Sequence, residues 1–158
     1  MDFIRKLPWG LVILWMALIF YLSHQPATKS NELSTGVTEK IVEMVEKIAP
    51  DIDIDIGSSN HIIRKNAHFF AYLVLGILVV NGLRNNGLSG YKGFIIALII
   101  CVLYAISDEI HQLYVPGRGG QVKDVIIDSA GALVGILGYC LKFSPVKEKG
   151  GDSINGKR

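Results

Sequence analysis

Seven side chains able to do chemistry crowd the stretch Ser107 to Gly138, SDEIHQLYVPGRGGQVKDVIIDSAGALVGILG. Asp108, Glu109, His111 and Gln112 close one apolar run, Arg118 lies in the turn that follows, and Asp124 and Asp128 open the next run. Acids inside or at the rim of apolar helices are costly unless they are paired or used. A second group sits upstream. On a helical wheel of about 100° per residue, His61, Lys65, His68, Tyr72 and Gly76 share one stripe.

Together these groups suit two tasks. Glu109, His68 and Asp128 are candidates for general acid and base. Arg118, Lys65 and Arg64 are candidates for clamping a phosphate or carboxylate of a lipid headgroup, with Asp124 facing the same way as Asp128. Asp108 and Gln112 share a helix face, and Glu109 points about 100° from it. The competing reading is structural: Asp124 and Asp128 pair with Arg118, Lys65 or Lys123 and lock the helices together. In that reading His68 merely bonds one of the acids, and His111, His24 and His61 are solvated.

Other chemistries lack their patterns. His68, Glu109, His111 and Asp128 would be enough ligands for a metal, yet no HExxH or comparable local spacing is present, so neither a metal nor a cofactor is expected. GRGGQ has no lysine and no strand before it, and no GxSxG elbow exists for a serine hydrolase.

The elements that must position these residues are helices. Half of the 158 residues are apolar and 19% are charged, below the roughly 25% usual for soluble domains. Near-neutral net charge gives no case for nucleic acid. Cys101 and Cys140 both fall in apolar runs and read as small hydrophobes. Pro8 to Leu22 is an uncharged run after Arg5 and Lys6, read as a retained first transmembrane helix of near-spanning length. Ser34 to Ala49 places Val37, Ile41, Val45 and Ile48 at helical spacing, which predicts an amphipathic surface helix ended by Pro50. DIDIDI (Asp51 to Ile56) is read as extended loop, and Ser58, Ser59 and Asn60 offer caps for the next helix.

That second span runs from about His61 through Leu83, with Asn85, Asn86 and Gly87 as turn signals. A third span starts near Gly93 and meets Asp108 and Glu109; Pro116 and Gly117 break the chain; the fourth runs Val125 to Phe143. On it Gly131, Gly135 and Gly138 share the aspartate face and would admit a close neighbour helix. Residues 144–158, charged and Gly-rich, predict a disordered tail. Lys and Arg placement favours both termini in the cytoplasm. The ends of spans one and three and the starts of spans two and four then gather at one membrane face, outside, carrying every unusual polar group.

The segments YLSHQP (Tyr21 to Pro26), RKNAHFFAYLVLG (Arg64 to Gly76) and SDEIHQLYVPGRGGQVKDVIIDSAGALVG (Ser107 to Gly135) resemble the VanZ-like family of small bacterial membrane proteins, from about Trp9 to Phe143. The resemblance implies that Ser23, Gln25, Lys65, His68, Tyr72, Glu109, Gln112, Arg118, Asp124 and Asp128 are the characteristic positions. Two departures are Ala71, where many relatives carry an acid, and Gly119, where they often carry serine. It also implies a cell-envelope role in the bacterial plasma membrane, with a link to teicoplanin-type glycopeptide resistance through the name-giving member.

The expectation is therefore an all-α, four-span transmembrane bundle over residues 1–143, with an amphipathic helix in a long first extracytoplasmic loop and a cytoplasmic tail at 144–158. Its outward polar pocket would bind or act on an envelope lipid or lipid-linked precursor, alone or as a homo-oligomer. A non-catalytic accessory or scaffold protein is the alternative, and a small proton-coupled carrier, lacking an inverted repeat, stands behind it.

Overall fold

The structure, a computed structural model, describes residues 2–32, 35–36, 40 and 56–143, with side chains from residue 7 in the first stretch and from residue 63 in the last. Every regular element among the described residues is helical. Four long helices follow one another: α1 (Asp2–Ser23), α2 (Ile56–Asn85), α3 (Gly90–Gln112) and α4 (Val122–Phe143). Residues 27–32 are also helical. Most of the expected amphipathic helix, residues 51–55 of the DIDIDI segment and the tail at 144–158 lie outside the described residues; Ile56, expected to end that loop, is the first residue of α2, so Ser58, Ser59 and Asn60 lie inside the helix and do not cap it.

Three helical segments have the length and apolar composition to cross a membrane: Ile63–Asn85, Gly90–Gln112 and Val122–Phe143. The first expected span, Pro8 to Leu22, falls in α1, whose apolar part, Leu7–Ser23, is shorter. At 1.5 Å per residue its 17 residues rise about 25 Å, somewhat less than the roughly 30 Å hydrocarbon layer. Large apolar side chains point away from the bundle on all four helices, among them Ile13 and Leu14 on α1, Phe70 on α2, Ile99 and Leu103 on α3, and Ile126 and Leu141 on α4. In water such a surface would be a liability; against lipid tails it is the expected exterior.

What joins the helices is small residues. α2 and α4 make the closest seam. A Cβ at Gly131 would strike the backbone carbonyl of Phe69, one at Gly135 that of Leu73, and one at Gly76 that of Ala132. Lipid tails are as apolar as leucine, so helices in a bilayer associate through this kind of close backbone packing. Gly138, expected on the same face, meets nothing within 4 Å. The seam ends one turn earlier, and Gly76 supplies the reciprocal contact from α2. α3 buries Gly93, Ala97, Cys101 and Ala105, a narrow stripe that runs straight into Asp108 and Gln112. α1 is tied on by Trp15 Nε1 donating to the Ala71 carbonyl (2.9 Å) and Tyr104 Oη donating to that of Met16 (2.6 Å).

The turns are closed by backbone chemistry that the sequence advertises. After α2, Gly87 takes a left-handed φ of 87°. The amides of Gly87 and Leu88 then bond the carbonyls of Arg84 and Leu83, the Schellman closure that favours glycine at that position. After α3, Gly117 (φ 75°) follows Pro116 and turns the chain so that Arg118 comes back over the helix ends. The Pro116 carbonyl accepts from the Ala27 amide (3.3 Å), fastening this loop to the segment after α1.

Candidate functional site

Each unusual polar group sits near the same end of the bundle, as alternating helix direction demands. Ser23 closes α1, Lys65 and His68 lie near the start of α2, Asp108 to Gln112 end α3, and Asp124 and Asp128 begin α4. Contacts across helices tie them together. Ser23 Oγ donates to Asp108 Oδ2 at 2.8 Å, and Gln112 Nε2 stands 3.4 Å from the same oxygen. Lys65 Nζ lies 2.9 Å from Asp124 Oδ1. His68 Nδ1 stands 3.6 Å from Asp128 Oδ2. Arg118 donates through Nε to the Gln25 carbonyl (3.0 Å) and through a terminal nitrogen to Gln112 Oε1 (3.3 Å).

Burial makes this end unusual. Asp128 is 1% exposed, Asp108 2%, and Glu109 and Gln112 7% each. Among the described residues, Oδ1 of Asp108, Oδ1 of Asp128 and the hydroxyl of the fully buried Tyr72 have no hydrogen-bond partner. Buried polar groups are normally satisfied, and a buried carboxylate left half-satisfied costs more than a neutral group would. Glu109 is better provided: its carboxylate accepts the backbone N–H of Gln121, across the turn.

A cavity of about 150 Å³ opens beside these groups, with Lys65, His68, Gln112, Arg118, Asp124 and Asp128 among its walls. Arg64 also lines it and donates to Asn31 Oδ1 (3.1 Å). Among the described residues the hydrogen bonds of Arg64 and Arg118 go to neutral partners. Two guanidiniums beside one cleft repel each other. Burial, then Arg64, pulls Arg118 down from its ordinary value, against the opposing pull of Asp108 and Glu109. An anion in the cleft would relieve both. A second, mainly apolar groove runs between α1 and α2, lined by Ile19, Leu22, Ile63, Ala67 and Ala71. It meets the polar cleft at Arg64, His68 and Arg118, which line both.

The sequence-predicted residues thus fall into groups. Ser23, Gln25, Lys65, His68, Gln112, Arg118, Asp124 and Asp128 share a contact network or the cleft wall. Tyr72 lies in the core with its ring 6.0 Å from that of Tyr104. Glu109 is buried against the α3–α4 turn, and His111 does not line the cleft: it stacks on His24, with ring nitrogens 3.0 Å apart, and lies tilted against Phe20. Asp108 is the buried residue that the sequence brings to this end without assigning it a catalytic or ligand-binding role. One of its carboxylate oxygens lies with one of Asp128 and a ring nitrogen of His68 in a set whose three atoms are all within 4.8 Å of one another. The available signal was its i,i+4 relation to Gln112, a fellow member of the buried face. No local motif could reveal the set, because its three members come from three different helices.

A family model described as VanZ/LLP1 matches residues 8–143. No curated protein and no solved structure matches the chain.

Proposed function

The chain belongs to the VanZ/LLP1 family, and from that premise we propose that it is a four-span plasma-membrane protein that binds an anionic envelope lipid or lipid-linked precursor at its polar end. In this reading α1 crosses the membrane as well as the three longer apolar helices, both termini are cytoplasmic, and the polar end faces outward. The observation that carries it is the meeting of two surfaces at Arg64, His68 and Arg118: a cationic cleft for a phosphate or carboxylate and an apolar groove for a chain. A lipid is the ligand that needs both at once. Guanidinium groups offer bidentate hydrogen bonds to such a headgroup, and Lys65 adds a point charge.

If the protein acts on the lipid it holds, His68, Asp128 and Glu109 are the groups to handle protons, by hydrolysis or transfer at the headgroup. His68 and Asp128 line the cleft itself, and Glu109 sits one shell behind, on the Gln121 amide. The non-catalytic reading uses the same residues to hold a headgroup without turnover. Lipids retained by the detergent-purified protein test the binding: enrichment of one anionic class, lost in Arg118→Ala, supports it, and a bulk-membrane profile in both proteins contradicts it. Turnover of that lipid, abolished in Asp128→Asn, separates enzyme from binder. The glycopeptide-resistance link is a further proposal, checked by the teicoplanin susceptibility of a strain lacking the gene.

A further inference from the structure

The buried carboxylates of Asp108 and Asp128 pose a charge problem that the protein side chains around them leave open. Two acids and one imidazole converge with ligand atoms all within 4.8 Å of one another. Even a protonated His68 would balance only one of the two negative charges. The nearest bonded neighbours of Asp108 are the neutral Ser23 and Gln112, Lys65 is engaged by Asp124, and Arg118, whose charge Asp108 feels, makes its hydrogen bonds to Gln25 and Gln112 instead. Uncompensated charge in a bundle interior must be neutralised by a proton or by a cation.

We propose that His68, Asp108 and Asp128 form a divalent-metal site that takes Zn²⁺ or Mn²⁺. Three features of the geometry favour an ion over a shared proton. First, His68 Nδ1 and Asp128 Oδ2 are 3.6 Å apart, too far for a hydrogen bond. Two ligands about 2.1 Å from one tetrahedral ion stand roughly 3.4 Å apart, close to what is found. Second, the hydroxyl of Ser23 and the amide of Gln112 both address Oδ2 of Asp108 and leave its Oδ1 without a partner among the described residues. Outer groups that fix one carboxylate oxygen and free the other are what metal-binding carboxylates usually have. Third, His68 and Asp128 line the polar cleft, which gives an ion a way in.

The donor set selects the metal. A ring nitrogen disfavours Ca²⁺ and Mg²⁺, which prefer all-oxygen shells, and the absence of thiolate removes the main preference for softer ions. One imidazole and two carboxylates suit Zn²⁺ or Mn²⁺. Three protein ligands leave room for a water or a headgroup oxygen, the arrangement of catalytic rather than structural zinc sites. This proposal does not rest on the lipid reading, because the ion can be counted with no lipid present.

The test uses full-length protein in detergent carrying His24→Ala, so that the exposed His24–His111 pair cannot chelate the ion. The protein is stripped with a chelator, reloaded with ZnCl₂ or MnCl₂, desalted and analysed for metal by mass spectrometry. The expected result is about one ion per chain, falling at least tenfold in Asp108→Asn/Asp128→Asn. Ions absent from the reloaded parent, or retained equally by the double variant, would overturn the site. Thermal unfolding of the parent alone keeps the claim testable if the double variant does not fold. Its midpoint should rise steadily with the logarithm of ion concentration, and a flat midpoint for both ions would overturn the proposal.

Discussion

The two ends of the bundle both place polar side chains among apolar ones, and they treat them in opposite ways. At the end holding the α2–α3 turn, the groups are neutral or exposed, and among the described residues no buried one lacks a partner. Tyr139 Oη donates to Asn81 Oδ1 at 2.7 Å, Asn86 Nδ2 donates to the Gly82 carbonyl at 2.9 Å, and Arg84 caps α4 by donating to the Phe143 carbonyl at 2.9 Å while lying over its ring. At the other end, two carboxylates lie almost fully buried with an oxygen each unpartnered, and two arginines share a cleft. The first arrangement is what polar groups do when they stabilise helix ends. The second costs stability and is expected where a ligand completes the structure.

The variant expected to have the largest effect removes the frame common to both ends. Gly135→Leu drives a side chain into the Leu73 backbone, and backbone on both sides cannot yield as a flexible side chain could. Loss of monodisperse protein in detergent is expected, and normal size-exclusion behaviour would mean that the α2–α4 seam is looser than described. Next comes the contrast itself. Asp128→Asn removes a buried charge but keeps its shape, so headgroup turnover or binding should fall about a hundredfold while the unfolding midpoint stays level or rises. A midpoint that collapses would make this end structural, like the other.

Arg118→Ala follows, with about a tenfold loss of retained anionic lipid, in line with roughly 1.5–3 kcal/mol for hydrogen bonds to a charged group. The smallest effect belongs to the Asn81 end. Asn81→Ala should cost about 1 kcal/mol of stability through the Tyr139 bond and leave lipid retention unchanged. If Asn81→Ala disturbed lipid more than Arg118→Ala, the assignment of the two ends would be reversed.

The sequence made much of this legible because helical periodicity and connectivity do not depend on tertiary detail. Charges at the ends of apolar runs, read with alternating helix direction, were enough to bring Ser23, Lys65, Asp108 and Asp128 to one end. The i,i+4 relation of Asp124 and Asp128, with the glycines on the same face, turned both inward toward another helix, and the Lys65–Asp124 pair is one of the partnerships that reading contained. Depth and register were not legible. A wheel gives the direction of a side chain but not what covers it, so Asp108 and Glu109, about 100° apart, could not both be recognised as buried. Asp108 is covered by Ser23 of α1 and Glu109 by the loop before α4, and neither contact has a local pattern. The same limit left the His24–His111 pair unseen and extended the glycine seam to Gly138, which lies past the crossing of α2 and α4.

The central claim is that the Asp128 end holds an anionic lipid through its cleft and adjoining groove. Native mass spectrometry of the parent, Arg118→Ala and Asn81→Ala, released from the same detergent, tests it most directly. The account predicts one anionic lipid class bound to the parent and to Asn81→Ala, and its loss from Arg118→Ala. Identical lipid adducts on all three proteins would contradict it.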